Sequence, residues 1–156
     1  ALIHEPEILF LDEPTTGVDA VSRREFWEML QNLKNRGMTI LVSTPYMDEA
    51  ALCDRIALIQ QGKILSIETP EKIIDSYPDK LYSIKATNIP ALLKAMSTYE
   101  NILSNYAFGD SIHVTFKSDL IDEDKVRDYL RSKGIQNIKI KEIRASVEDC
   151  FINLLG

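Results

Sequence analysis

A chain of 156 residues, 45% hydrophobic and 27% charged, has the composition of a soluble globular protein with one ordinary domain or two small ones. Its formal net charge of −6 weighs against nucleic acid and anionic membrane surfaces as non-specific partners. No apolar run reaches the length of a membrane span and no signal peptide is visible, so any membrane connection is expected to come through a partner.

The chain opens on Ala1-Leu2-Ile3-His4-Glu5-Pro6. That reads as the tail of a helix, with the natural start expected upstream. Ile8-Leu9-Phe10-Leu11 follows, apolar on both faces, as a buried parallel strand would be. Pro14-Thr15-Thr16-Gly17 is turn chemistry, with Gly17 suited to a positive φ. From Ala20 to Arg36 the residues Val21, Phe26, Trp27, Leu30 and Leu33 recur at helical spacing, and Gly37 is a stop. Thr39 to Ser43 is a second buried strand, which completes a strand–helix–strand crossover unit. A short helix is expected near Met47 to Leu52. Arg55 to Ile59 and Lys63 to Leu65 flank Gln60-Gln61-Gly62, which reads as a hairpin. Thr69-Pro70 caps and opens another helix, which Tyr77-Pro78-Asp79 ends.

A domain boundary is drawn there, giving residues 1–78 and 79–156. The second part reads as strand Leu81 to Ala86, helix Pro90 to Ser97, a hairpin of Ile102 to Phe108 and Ile112 to Lys117, and helix Asp122 to Lys133. A strand through Ile138, Ile140 and Ile143 and a last helix capped by Ser146 complete it. The order β-α-β-β-α-β plus one helix is a ferredoxin-like pattern. Cys53 and Cys150 are far apart and form no CxxC; they read as reduced, partly buried thiols of a cytosolic protein.

The chemistry-bearing residues are Asp12 and Glu13, at the carboxyl end of the first strand, where parallel sheets gather ligands. Strand alternation would point them in opposite directions and so assign them different work. One carboxylate suits a hydrated divalent cation and the other suits an attacking water. Taken alone, the run reads better as an acidic strand end followed by a turn.

Leu11-Asp12-Glu13-Pro14-Thr15-Thr16-Gly17-Val18-Asp19 resembles the Walker B motif and D-loop of ATP-binding-cassette (ABC) transporter ATP-binding proteins. Ala1 to Ile8 resembles the segment leading into that strand. Ser43-Thr44-Pro45-Tyr46-Met47-Asp48-Glu49-Ala50 resembles their switch loop, and Cys53 to Ile59 with Gly62-Lys63-Ile64 their closing hairpin. The order and spacing of all four agree over the first half of the chain. The resemblance implies an α/β fold: the C-terminal part of a P-loop NTPase parallel-sheet domain, followed by the small ferredoxin-like domain.

It also implies roles. Asp12 would bind Mg2+ through water. Glu13 would polarise the water that attacks ATP. Asp19 would lie in the D-loop facing a second nucleotide-binding domain, in a homo- or heterodimer; a helix N-cap is the plainer role and compatible with the first. Pro45 stands where the family usually has a His that touches the γ-phosphate, and Pro supplies no donor. His4 is too early to replace it. No GxxxxGK[ST] is present, nor the glutamine loop or signature motif, so residues 1–156 are not expected to bind ATP usefully.

Ser146 to Gly156 resembles the closing helix of exporter-type subunits, and residues 80–156 their accessory domain. The implied protein is an ABC exporter ATPase. It would be cytoplasmic, held at the inner face of the cell membrane by a transmembrane permease, with no nucleic acid as partner. Two other readings are a C-terminal regulatory or dimerisation module sensing a small effector, and a non-transport ATPase of the same superfamily. Phe26, Trp27 and Leu30 read as core, and Glu25, Glu28 and Lys34 as a solvated face. Asp122-Glu123-Asp124 reads as a charged first turn, and His113 as a satisfied or surface histidine.

Overall fold

A computed structural model describes residues 6–118 and 120–155. His4, the first five residues of the opening segment and the terminal Gly156 lie outside them. The fold is mixed α/β with small sheets. It divides into two compact units, one ending at Ile56 and the other beginning at Ala57.

The first unit is a parallel crossover. Strand β1 (Ile8–Asp12) pairs in parallel with β2 (Thr39–Ser43), in the register Leu9↔Ile40 to Asp12↔Ser43. Helix α1 (Ala20–Asn35) joins them, and α2 (Met47–Ala50) follows β2. Trp27 and Leu30 on α1 bury against Leu9, with Leu11, Phe26, Leu33, Ile40 and Val42 packed around them. These residues alternate along the strands with Ile8, Phe10 and Leu41, which are 52%, 71% and 60% exposed. The unbroken apolar run led to an expectation of burial on both faces. A single crossover helix lies on one side of a strand pair, so among the described residues only that side is covered.

The second unit opens, from Ala57, within the hairpin of β3 (Ile56–Gln60) and β4 (Lys63–Glu68). Gln61 and Gly62 turn it at φ 49° and 74°, the left-handed pair that a two-residue hairpin requires. Helix α3 (Pro70–Asp75) is capped by Thr69, whose hydroxyl accepts the Lys72 N–H. Then come β5 (Leu81–Lys85), α4 (Ile89–Met96), β6 (Ile102–Phe108), β7 (Ser111–Phe116), α5 (Glu123–Ser132), β8 (Lys139–Ile143) and α6 (Val147–Leu155). The sheet order is β6-β7-β5-β8, antiparallel throughout.

Every residue of β7 is buried. Leu92 and Met96 of α4 and Val126 and Leu130 of α5 close the core with Ile84, Ile112 and Val114. Each helix stripe has an i, i+4 spacing that sets its apolar side chains on one face. Residues 70–75 are tied to the end of the chain: Asp75 accepts from Arg144 at 2.6 Å, and the Cys150 thiol donates to the Ile73 carbonyl at 3.3 Å. The boundary drawn at Tyr77–Asp79 therefore falls inside the second unit. Both cysteines are free thiols, Cys53 half-buried and Cys150 buried.

Candidate functional site

Asp12 closes β1 directly opposite Ser43. The Ser43 hydroxyl donates to Asp12 Oδ1 and accepts the Glu13 N–H at 3.1 Å. That N–H also reaches the Ser43 carbonyl at 3.0 Å. One serine thus holds both acidic residues, from the neighbouring strand. Glu13 itself has φ +44°, a left-handed conformation that a side chain disfavours. The two bonds from its N–H to Ser43 hold it there. Strand alternation ends at Asp12, so the argument that it would aim Asp12 and Glu13 to opposite faces does not extend to Glu13.

The turn completes the corner. Thr16 donates its hydroxyl to Glu13 Oε2 at 3.1 Å and its N–H to the Glu13 carbonyl. Gly17 takes φ +76°, which its lack of a side chain permits. Asp19 caps α1: its carboxylate accepts from the Val21 and Ser22 N–H groups and from the Ser22 hydroxyl at 2.7 Å. The Ser22 hydroxyl and N–H hold the Asp19 carboxyl below its usual range. Pro45 is exposed, directly after Thr44, and donates nothing.

Beside the corner lies a group that sequence reading placed only in the switch-loop segment and its short helix. Glu49 is 1% exposed, and its two oxygens accept from Thr15 at 2.6 Å and from Thr44 at 2.7 Å. Arg23 brings Nε to 3.3 Å of the same carboxylate and lays its guanidinium over the Tyr46 ring at 4.1 Å. No local signal in the sequence marks the cluster, since Thr15 and Arg23 stand 34 and 26 positions before Glu49.

Asp12 and Glu13 are exposed. Two hollows of the first unit, about 250 and 660 Å³, are lined by α1 and the residues after β2, the smaller also by β2 itself, and neither by Asp12 or Glu13. The acidic corner therefore stands on an open surface. Among the described residues no group of three His, Cys, Asp or Glu is gathered as a metal cage. What the corner offers a cation is one carboxylate with a hydroxyl beside it, oxygen donors that suit a hydrated Mg2+.

The second unit holds a buried polar cluster that sequence reading missed. Asp149 is 0% exposed. Its Oδ1 accepts from Tyr106 and from His113 Nδ1, both at 2.6 Å, and its Oδ2 from the Ser146 N–H and hydroxyl, both at 2.6 Å. Phe108 stacks on the His113 ring, with centroids 4.0 Å apart. Burial works to raise the Asp149 pKa, but the donors from Ser146, Tyr106 and His113 outweigh it and lower it. Burial and the adjacent Asp149 charge push Tyr77 up to about 12 and Cys150 up to about 11. His113 is thus a satisfied core histidine that fastens α6 to the sheet. No helix of the described residues is long and apolar enough to cross a membrane.

No family model matches the chain. Along its whole length the chain is 34% identical to Nod factor export ATP-binding protein I of Burkholderia lata, covering 49% of that protein. It is 31% identical to the protein of the same name from Neorhizobium galegae, covering 43%. Over 73 residues, 47% of the chain, it is 51% identical to the probable multidrug ABC transporter ATP-binding protein YbhF of Escherichia coli, covering 13% of that protein. The chain spans at most about half the length of these relatives.

Proposed function

The chain belongs to the ATP-binding proteins of ABC transporters, and from that premise we propose that the intact protein hydrolyses ATP to drive export through a transmembrane permease. The observation that carries the reading is the Asp12–Glu13 corner, held by one serine hydroxyl at the carboxyl end of a parallel strand pair. Asp12, beside the Ser43 hydroxyl, would hold Mg2+ through water; bound there, the ion neutralises charge on the terminal phosphates. Glu13 orients the attacking water and draws on its proton. Thr16 holds one Glu13 oxygen and so aims the other. The left-handed backbone at Glu13 turns the chain off the strand, which sets its carboxylate apart from that of Asp12.

An open site needs a second surface to exclude water. A second nucleotide-binding domain, identical or different, supplies it in this reading, with Asp19 at the shared face. Pro45 leaves that site without the usual imidazole donor: either the site is a slow, degenerate partner in an asymmetric pair, or Glu13 and the rest of the site suffice without it. The names of the export relatives support export. In this reading the protein takes a cytoplasmic position against the inner face of the membrane, reached through the permease. Residues 1–78 would complete a P-loop nucleotide-binding domain. Residues 79–156 would be a ferredoxin-like accessory domain, a reading that the antiparallel order β6-β7-β5-β8 supports.

The test is Glu13→Gln in the intact polypeptide, measuring both nucleotide binding and phosphate release. Retained binding with release reduced by at least a hundredfold is the expected result; undiminished release refutes it. A regulatory or dimerising role for the second unit is favoured by its own closed core around Leu92, Val114 and Leu130. Gel filtration of the chain reads it out, and a strictly monomeric species that binds no effector counts against it.

A further inference from the structure

From the Glu49 cluster we infer that Glu49 is a positioning residue that locks the two loops of the acidic corner to each other. The inference rests on the hydrolytic reading above. It is carried by which residues the carboxylate grips. Thr15 adjoins Thr16, whose hydroxyl holds Glu13; Thr44 adjoins Ser43, whose hydroxyl holds Asp12. Glu49 therefore bonds the immediate neighbour of each residue that holds a functional carboxylate, one with each of its oxygens. The two bonds span 34 and 5 positions of the chain.

Burial makes the bridge stiff. Glu49 and Thr15 are each 1% exposed, so water does not compete for the bond between them, and the Thr44 bond is half-buried; a buried carboxylate keeps its donors firmly. Arg23 adds a counter-charge from α1 at 3.3 Å and stacks on Tyr46. The Thr44 hydroxyl, while donating to Glu49, accepts the Tyr46 N–H at 3.1 Å. The segment carrying Pro45 is thereby held between two residues anchored to the same cluster. A shift of either loop by about 1 Å would carry one carboxylate away from the other, and misplacement of that size can lower a rate by about a hundredfold. Glu49 touches neither nucleotide nor water in this scheme; it acts through Thr15 and Thr44.

The experiment uses the intact polypeptide. Its kcat and KM for Mg-ATP are measured per nucleotide-binding site, so that loss of folded protein is not read as loss of rate. Glu49→Ala is expected to lower kcat by about tenfold to a hundredfold with KM within about threefold. Glu49→Gln retains one acceptor and should recover part of that loss. Thr44→Val, which removes a single hydroxyl, should lower kcat severalfold and serves if Glu49→Ala fails to fold. Parental kcat in both Glu49→Ala and Thr44→Val overturns the inference, and so does a defect confined to KM or to the number of binding sites. Glu13→Gln run alongside separates the two levels. If it leaves hydrolysis intact, the hydrolytic reading fails and takes this inference with it; if it stops hydrolysis while the Glu49 variants keep the parental rate, only the positioning role fails.

Discussion

Replacing Asp149 tests how α6 is held to the sheet. Its carboxylate accepts four hydrogen bonds, from Tyr106, His113 and twice from Ser146, at zero exposure. In Asp149→Ala the Ser146 hydroxyl can still accept the N–H of residue 149, as it does now at 3.2 Å. The His113 N–H and the Ser146 N–H lose their acceptor inside the protein, and Tyr106 must turn elsewhere. An unsatisfied buried donor costs about 1–3 kcal/mol, so the two together cost about 2–6 kcal/mol. For a unit of this size that corresponds to roughly 10–30 °C in Tm.

Asp149→Asn should cost less, about 1–2 kcal/mol. With its oxygen toward Ser146, its amide can donate to Tyr106 and to His113, which change roles by rotating a hydroxyl and switching tautomer. Thermal unfolding of the 156-residue chain, followed through amide exchange in β7, measures both variants. The pH profile adds a sign. The folded Asp149 pKa is depressed, so its contribution is complete above the unfolded value of about 3.9 and is lost as pH falls through the folded value. Asp149→Ala should flatten that acid limb. An alanine variant within about 1 kcal/mol of the parent, or an Asn variant worse than Ala, would refute the bonding scheme.

Four further outcomes are expected. Asp19→Ala removes three bonds from the start of α1 and should lower the midpoint of the first unit by a few degrees, with Asn restoring most of it, as read by fluorescence of Trp27. Leu92→Ala empties a fully buried position of the second core and should cost about 2–5 kcal/mol in urea unfolding. In the intact protein Pro45→His should raise ATP turnover by restoring a donor, and an unchanged rate would remove the proline as the cause of slow hydrolysis. Titration of residues 1–156 with Mg-ATP should show no micromolar binding, since their sequence holds no GxxxxGK[ST] loop to cradle phosphate; heat consistent with such affinity contradicts this.

Much of the local architecture was legible along the chain. The helical stripe Phe26–Leu33, the caps at Asp19 and Thr69, and the turns at Gly17 and Gly62 all arise from contacts within a few residues. Periodicity and capping record such contacts directly. The acidic pair at the end of β1 was visible for the same reason. Its local geometry was not, because the left-handed turn at Glu13 depends on Ser43, 30 positions away.

What tertiary structure alone decided is which polar groups meet. Glu49 has the pattern of a solvated acid in a short helix, and Asp149 that of an ordinary first-turn acid. Each is buried only because folding brings donors to it, Thr15 from 34 positions away and His113 from 36. Hydrophobic periodicity reports the face that a residue occupies and carries no record of the partner across the fold. A buried carboxylate is tolerated when those distant donors arrive together, so its role follows from packing that no local pattern encodes.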